Sequence, residues 1–124
     1  MSSVHSNPAA VVQRQLDAYN RKDLEALLAT YAPDAELLEQ SGPVLARGQS
    51  ALRERFRLRF QEPNLHAALL YRAVCGAMVV DHERVTRTFP EGPGTIDVVM
   101  IYEVRGDHIA RAWTLPGAIT LAPR

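Results

Sequence analysis

The sequence predicts an α+β fold in which three short N-terminal helices pack on a curved, mostly antiparallel sheet. Three observations lead to this prediction. Apolar residues recur with helical spacing up to about residue 61. From Leu65 onward the pattern becomes strand-like. The stretch Thr95–Val104 is rich in Val, Ile and Tyr and free of Gly and Pro, so we interpret it as the central strand.

The composition indicates one ordinary globular domain. Its 124 residues are enough to bury a core, and we treat 1–124 as one domain with a core over about 8–115 and short loose tails. Fourteen basic residues balance fourteen acidic ones, which argues against nucleic acid or an anionic membrane as a partner. No apolar run reaches the roughly 20 residues of a membrane helix, and no signal-peptide pattern opens the chain, so we expect a cytoplasmic protein.

The first predicted helix runs from Pro8 to about Arg21. Asn7 is a suitable N-cap, and proline is favoured in a first helical turn. Gln15 and Tyr19 repeat at helical spacing with the apolar positions, so we expect both on the buried side of the helix.

A second helix follows Asp23, which can cap it, and its apolar face extends to Tyr31. Pro33 is predicted to end this helix, because proline has no N–H to donate. A short strand is predicted over Ala35–Glu39, with a small edge strand over 44–46.

The third predicted helix begins at Gly48 and continues to about Gln61, with Phe56 and Arg59 on its inner face. Arginines at alternate positions fan out around a helix instead of forming one patch. We therefore interpret this group as a solvated face: Arg53, Arg55, Arg57 and Arg59.

The second half of the chain predicts an antiparallel meander, because short turn-like breaks separate its strands. The predicted strands are Leu65–Cys75, Ala77–Phe89, Thr95–Arg105 and His108–Leu115. Pro116-Gly117 is expected to end the last strand, leaving 118–124 as a tail. In the central strand, alternate residues share a face that should line a core or pocket: Ile96, Val98, Met100, Tyr102 and Val104. The other face is expected to be covered by this chain or by a second subunit.

Two sequence blocks resemble the nuclear transport factor 2-like superfamily, in its SnoaL-like and ketosteroid-isomerase branch. They are the region containing YAPDAELLE and GQSALR, and the strand pair IDVVMIYEVRGDHIARAW. The resemblance implies a cone-shaped α+β barrel with an apolar pocket for a small hydrophobic molecule. It also implies a homodimer formed through the outer sheet face.

The resemblance assigns catalytic positions residue by residue. Glu39 matches the carboxylate that serves as general base. Gln15 and Met100 occupy the positions of the two oxyanion donors, and methionine cannot donate a hydrogen bond. Tyr31 of the supporting network is kept, whereas Phe56 lacks the hydroxyl. Loss of one oxyanion donor costs about 10²–10³ in rate, which argues against true steroid isomerase activity.

Further candidate ligand contacts are Tyr19, Tyr102 and Trp113, each of which is equally suited to core packing or, for Trp113, to a subunit interface. The histidines show no metal-ligand spacing, and the single cysteine excludes a CxxC site, so neither a metal nor a cofactor is expected. In Asp81-His82-Glu83, neighbouring side chains should point to opposite sides of a strand, so the three residues should not form one cluster.

Three functions are compatible with this sequence. The first is cofactor-independent proton transfer of the isomerase or cyclase kind, with Glu39 as base and Gln15 and a tyrosine polarising a carbonyl. The second is a binding module that holds an apolar ligand without catalysis. The third is a scaffold that acts only by dimerisation. A buried carboxylate inside the pocket would favour the first.

Overall fold

The computed structural model describes residues 7–123, so the predicted N-terminal tail lies, apart from Asn7, outside the described residues. The described part contains three helices and six strands. In chain order they are α1 (Pro8–Arg21), α2 (Leu24–Ala29), β1 (Tyr31–Glu39), β2 (Val44–Arg47), α3 (Gly48–Arg59), β3 (His66–Cys75), β4 (Met78–Phe89), β5 (Gly92–Arg105) and β6 (His108–Leu121).

The six strands form one sheet in the order β2-β1-β6-β5-β4-β3. All neighbours are antiparallel except β1 and β6, which run parallel. The sheet is curved and does not close, and the helices lie on its concave side. The predicted α+β architecture and the antiparallel meander of β3 to β6 are therefore confirmed.

The helices begin where their sequences supply caps. The Asn7 side chain accepts a hydrogen bond from the backbone N–H of Ala10 (3.2 Å), and Asp23 accepts one from Ala26 (3.1 Å). Each cap satisfies an amide that the first helical turn leaves without a backbone partner. The apolar faces that follow are buried, with Val12 and Leu27 both fully inaccessible to solvent.

Two amide side chains fix the helices on the sheet. Asn20 of α1 donates to the Ala67 carbonyl (2.9 Å) and accepts from the Ala67 N–H (2.8 Å), which ties α1 to β3. Gln49 of α3 donates to the carbonyls of Leu28 and Tyr31, both at 3.1 Å. These contacts tie α1 to β3, and α3 to α2 and β1.

The second helix is shorter than predicted. It ends at Ala29, and Tyr31 and Pro33 belong to β1. The Thr30 carbonyl accepts a hydrogen bond from Ile109 (2.7 Å), so pairing with β6 replaces the last helical turn. Pro33 is tolerated in the strand because it lies where the register with β6 shifts, where no ladder N–H is needed.

The last strand is longer than predicted. Pro116-Gly117 does not end β6, which continues to Leu121 beside a β5 that already begins at Gly92. Pro116 lies opposite Val98 at a register shift, so its missing N–H interrupts no regular ladder. Residues 118–121 are therefore part of the sheet.

A buried ion pair joins β3 to β4 on the inner face of the sheet. Arg72 donates to both carboxylate oxygens of Asp81, through Nε at 2.7 Å and Nη2 at 2.8 Å. Its third donor, Nη1, reaches the side-chain oxygen of Gln13 on α1 (2.9 Å). The Asp81 side chain is fully buried and the Arg72 side chain is 15% exposed. Such a pair is costly to break, because one charge is left in a poorly solvated place.

We expect Asp81→Asn to lower the free energy of unfolding by about 3 kcal/mol, because it leaves the Arg72 guanidinium without its counter-charge. Urea unfolding at neutral pH measures this change. Asp97→Asn is the matched control, since Asp97 binds Arg84 on the outer face and its side chain is 40% exposed. That control should cost about 1 kcal/mol or less. Equal losses in the two variants would contradict the role of the buried pair.

Candidate functional site

A cavity of about 310 Å³ lies between the helices and the inner face of the sheet. Helices α1 and α3 cover one side of it, and β1, β4, β5 and β6 form the other. Its lining residues are Gln15, Leu16, Tyr19, Tyr31, Leu37, Glu39, Leu45, Arg55, Phe56, Arg59, Glu83, Val85, Arg87, Ile96, Val98, Met100, Tyr102, Thr114 and Pro116.

Seven of the eight residues singled out from the sequence line this cavity: Gln15, Tyr19, Tyr31, Glu39, Phe56, Met100 and Tyr102. Trp113 does not. It pairs with Ile101 of β5 and Leu38 of β1, and it borders a shallow groove on the outer face with Ile101 and Leu115. Because side chains alternate along a strand, Thr114 faces the cavity and Trp113 faces away from it. The prediction that Trp113 contacts a ligand inside the cavity is therefore wrong.

The deepest part of the cavity carries a polar network. Gln15, which is 5% exposed, donates through Nε2 to the Tyr31 hydroxyl and accepts at Oε1 from the Tyr102 hydroxyl, both at 3.4 Å. Burial raises the pKa of both tyrosines well above the usual value, and the nearby Glu83 carboxyl raises them further. Both phenols are therefore protonated at neutral pH and present O–H groups.

Glu83 is the buried carboxyl group of the cavity. It is 6% exposed, and its Oε2 has no hydrogen-bond partner among residues 7–123. Its pKa is raised to about 7, mainly by burial and also by the charge of Asp81, while Arg72 opposes the shift. A carboxyl group with this pKa exchanges protons readily at physiological pH.

Glu39 occupies a different environment. It contributes to the cavity lining from the end of β1, but it is exposed to solvent. Glu39 is therefore not the buried carboxylate that would favour proton transfer in the pocket. Glu83, on β4, is such a carboxylate.

Three arginines contribute to the lining of the cavity. Arg55 and Arg59 come from α3 and Arg87 comes from β4, and all three are half-buried. Arg53 and Arg57, by contrast, are exposed and bind the carboxylates of Glu25 and Glu54. The sequence-based interpretation of one solvated arginine face holds for those two residues and is wrong for Arg55 and Arg59.

Apolar and aromatic side chains form the rest of the wall. Phe56 packs edge-on against Tyr19, with ring centroids 6.3 Å apart, and tilted against Tyr31 at 5.9 Å. Burial raises the pKa of Tyr19 to about 12, so this phenol is also un-ionised at neutral pH. Ile96 and Val98 of β5, together with Tyr19, pack against a second cluster of buried apolar residues.

No group of three or more His, Cys, Asp or Glu side chains within the described residues is arranged to hold a metal ion. Nor is any helix of residues 7–123 long and apolar enough to cross a membrane.

The profile of the SnoaL-like domain matches residues 12–112, which is most of the chain. The chain belongs to the SnoaL-like domain family. No curated protein matches it significantly.

Solved structures give the same fold. An uncharacterised cystatin-fold protein from Novosphingobium aromaticivorans is 24% identical, with a TM-score of 0.81 over 90% of this chain and 99% of that chain. A proposed polyketide cyclase from Sinorhizobium meliloti is 24% identical, with a TM-score of 0.74 over 86% and 94%. IdmH from Streptomyces antibioticus, also a proposed polyketide cyclase, is 19% identical, with a TM-score of 0.75 over 89% and 91%. At these identities the likeness establishes the fold alone.

In this SnoaL-like domain, Glu83 is a cavity residue that was not among the candidates predicted from the sequence. The predicted split of Asp81-His82-Glu83 between the two faces agrees with the structure, since His82 lies 3.1 Å from Asp97 on the outer side. Alternation from the buried Val79 and Val85 places Glu83 on the inner face, and that signal is readable in the sequence.

We expect the stability of the SnoaL-like domain to fall as pH rises from about 4.5 to about 7, because the fold favours the protonated form of Glu83. Glu83→Gln cannot ionise, so its free energy of unfolding relative to wild type should rise over this window, by on the order of 3 kcal/mol. Urea unfolding at several pH values measures the difference. Glu91→Gln, an exposed substitution that removes the same charge, is the reference. A difference that stays flat across the window would contradict the assignment.

Proposed function

We propose that this SnoaL-like domain binds a small, largely apolar molecule in its cavity and moves a proton on a carbon next to a carbonyl group, without a cofactor. Glu83 is the proton-transfer group. The observation that carries the proposal is the burial of this carboxyl group inside the cavity with one oxygen free of hydrogen bonds among the described residues.

Glu83 is better suited to this role than Glu39. A general base works best when its pKa lies near the operating pH, because the basic form is then populated and still has a useful affinity for the proton. Glu83, with a pKa of about 7, meets that condition. Exclusion of water also strengthens the electrostatic interactions that stabilise charge in a site, and Glu39 is exposed.

The polar network beside Glu83 supports the second half of the reaction. Proton loss next to a carbonyl places negative charge on the carbonyl oxygen, and hydrogen-bond donors stabilise that charge. Tyr31 and Tyr102 are un-ionised, and the Gln15 amide carries two N–H donors. The long 3.4 Å contacts within this network leave these donors free to turn toward a ligand oxygen.

The size of the cavity and the similar structures are consistent with this chemistry. A volume of about 310 Å³ is at the lower end of the range for ligand sites, which favours a molecule of one or two rings. Two similar structures are proposed polyketide cyclases. An aldol ring closure begins with the same removal of a proton next to a carbonyl, so the proposal covers ring formation as well as isomerisation.

Deuterium exchange into an enolisable ketone tests the assignment of the base. We expect wild-type protein to accelerate exchange at the α-carbon of β-tetralone in D₂O, followed by proton NMR. Glu83→Gln should lower the catalysed rate by about 10²–10⁴, the usual contribution of a general base. Glu39→Gln is the matched control and should retain the rate within about tenfold.

Each outcome of this experiment decides between the assignments. If Glu39→Gln loses the rate and Glu83→Gln keeps it, Glu39 is the base and our assignment fails. If wild-type protein binds the ketone, shown by perturbed cavity resonances, but does not accelerate exchange, the domain is a binding module.

We also propose that a second copy of the chain covers the outer sheet face. The apolar groove on this face is lined by Met78, Ile101, Trp113 and Leu115, which an isolated subunit would leave partly in water. Beyond it the face carries both signs of charge, with Arg111 close to Glu36 and Glu103. A two-fold arrangement brings the same patch against itself and pairs unlike charges.

We expect the protein to sediment as a homodimer at micromolar concentration and Ile101→Arg to shift it toward monomer, because two like charges would meet in an apolar contact. Sedimentation velocity measures the change. Leu58→Arg, which adds the same charge at an exposed position of α3 away from the outer sheet face, is the control for surface charge. A wild-type monomer would contradict the proposed interface.

A further inference from the structure

We propose that the ligand of this cavity carries a compact oxyanion, such as a carboxylate, which Arg55, Arg59 and Arg87 hold while the apolar part reaches Glu83. This inference rests on the proposed function, since it concerns the same cavity, and it specifies the class of molecule that the cavity accepts.

The charge balance of the lining favours an anion. Three guanidinium groups and two carboxyl groups line the cavity. One of those carboxyl groups, Glu83, is buried, so it is the group least able to hold a negative charge. The other, Glu39, is exposed. The lining is therefore positive at neutral pH, although the whole chain has no formal net charge.

The donors of Arg55 and Arg59 are also available, whereas Arg87 is partly engaged, with Glu62 nearby and its Cζ 5.1 Å from the centre of the Phe89 ring. Within residues 7–123, neither Arg55 nor Arg59 has a carboxylate oxygen within 4.0 Å. Nε of Arg87 is 3.7 Å from Glu62 Oε1, too far for a hydrogen bond, and it has no hydrogen-bond partner in the described part of the chain. Glu62 instead accepts from the Thr88 N–H at 3.0 Å.

The three cations affect one another. Burial lowers the pKa of Arg55 and of Arg87, and in both cases the charge of Arg59 lowers it further, while Glu39 near Arg55 and Glu62 near Arg87 oppose the shift. Arg59 therefore lies near enough to each neighbour to repel it. A fold gains nothing from bringing like charges together in a half-buried place, whereas a bound anion would relieve the repulsion and accept hydrogen bonds from several guanidinium groups.

The lining residues differ in solvent exposure, and this difference suggests how a ligand would be oriented in the cavity. The arginines are half-buried, whereas Gln15, Tyr31, Tyr102 and Glu83 are buried. A molecule with an anionic end and an apolar body therefore matches the cavity best with its charge at the arginines and its reactive carbon at Glu83. Binding energy from the anion would then position that carbon.

A pair of dyes that differ only in one anionic group tests the proposal. 5-(Dimethylamino)naphthalene-1-sulfonate carries a sulfonate, and 1-(dimethylamino)naphthalene is the same two-ring aromatic body without it. We expect wild-type protein to bind the sulfonate at least about tenfold more tightly, as measured by fluorescence titration. Arg59→Gln and Arg55→Gln should each weaken sulfonate binding about tenfold and change binding of the neutral dye by less than about twofold.

Two further variants make the result specific. Arg57→Gln removes the same charge from the same helix at an exposed position paired with Glu54, and it should leave both affinities within about twofold. Val98→Phe fills the cavity and should weaken both dyes. Thermal unfolding of every variant confirms that the protein remains folded.

The outcomes separate this inference from the function on which it rests. Equal affinity for the two dyes, equal effects of Arg59→Gln and Arg57→Gln, or sulfonate binding that Val98→Phe leaves unchanged would each overturn the anion site. β-Tetralone is uncharged, so its binding does not depend on the anion site. If the anion site fails but Glu83-dependent exchange at the α-carbon of β-tetralone is still seen, the proton-transfer proposal stands. If the arginines cause a preference for the sulfonate dye but the protein catalyses no exchange of β-tetralone, the anion site is supported and the proton-transfer proposal is overturned.

Discussion

The bidentate ion pair between Arg72 and Asp81 determines the chemistry of the inner sheet face. Asp81 and Glu83 share that face of β4, and one buried cation lies beside them. Arg72 directs all its observed hydrogen bonds to Asp81 and Gln13. Glu83 is therefore left beside a negative charge and without a counter-ion of its own among residues 7–123. Burial is the main cause that raises its pKa, the charge of Asp81 adds to the rise and Arg72 opposes it, which brings the value to about 7. Asp81 thus stabilises the pairing of β3 with β4. Glu83, two positions further along β4, is the group that we propose for proton transfer.

Local patterns were enough to predict most of the fold. The caps Asn7 and Asp23, the helical spacing of apolar residues and the turn-like breaks between strands depend on neighbours in the chain, and the corresponding elements are present. The errors occurred where distant segments pair. Tyr31 continues a helical pattern but pairs with Ile109 of β6, and Pro116 reads as a strand end but lies at a register shift opposite Val98. A pattern within one segment carries no information about such partners.

The candidate site was predictable in part. Alternation along β5 identified two of the cavity residues, helical spacing in the three predicted helices identified four, and the family resemblance identified Glu39. None of these patterns established how deep each residue lies. Glu39 follows Leu38 whereas Glu83 lies between His82 and Arg84, so their sequence neighbours would suggest the opposite of what the fold shows: the first is exposed and the second buried. Arg55 and Arg57, two positions apart on α3, differ for a reason that the sequence does carry: Arg55 lies three residues after the buried Leu52 and shares its face of the helix, whereas Arg57 points away from it.

Asn20 has a consequence beyond placing a helix. Strand β3 is at the edge of the sheet, where unpaired backbone groups offer a template to the strands of other molecules. The Asn20 amide occupies both the N–H and the carbonyl of Ala67, as a neighbouring strand would, and the register shift between Leu69 and Tyr71 interrupts the remaining edge. The opposite edge, β2, has only four residues. Both edges of the open sheet therefore offer little unpaired backbone to the strands of other molecules, which lowers the risk that the sheet grows by strand addition.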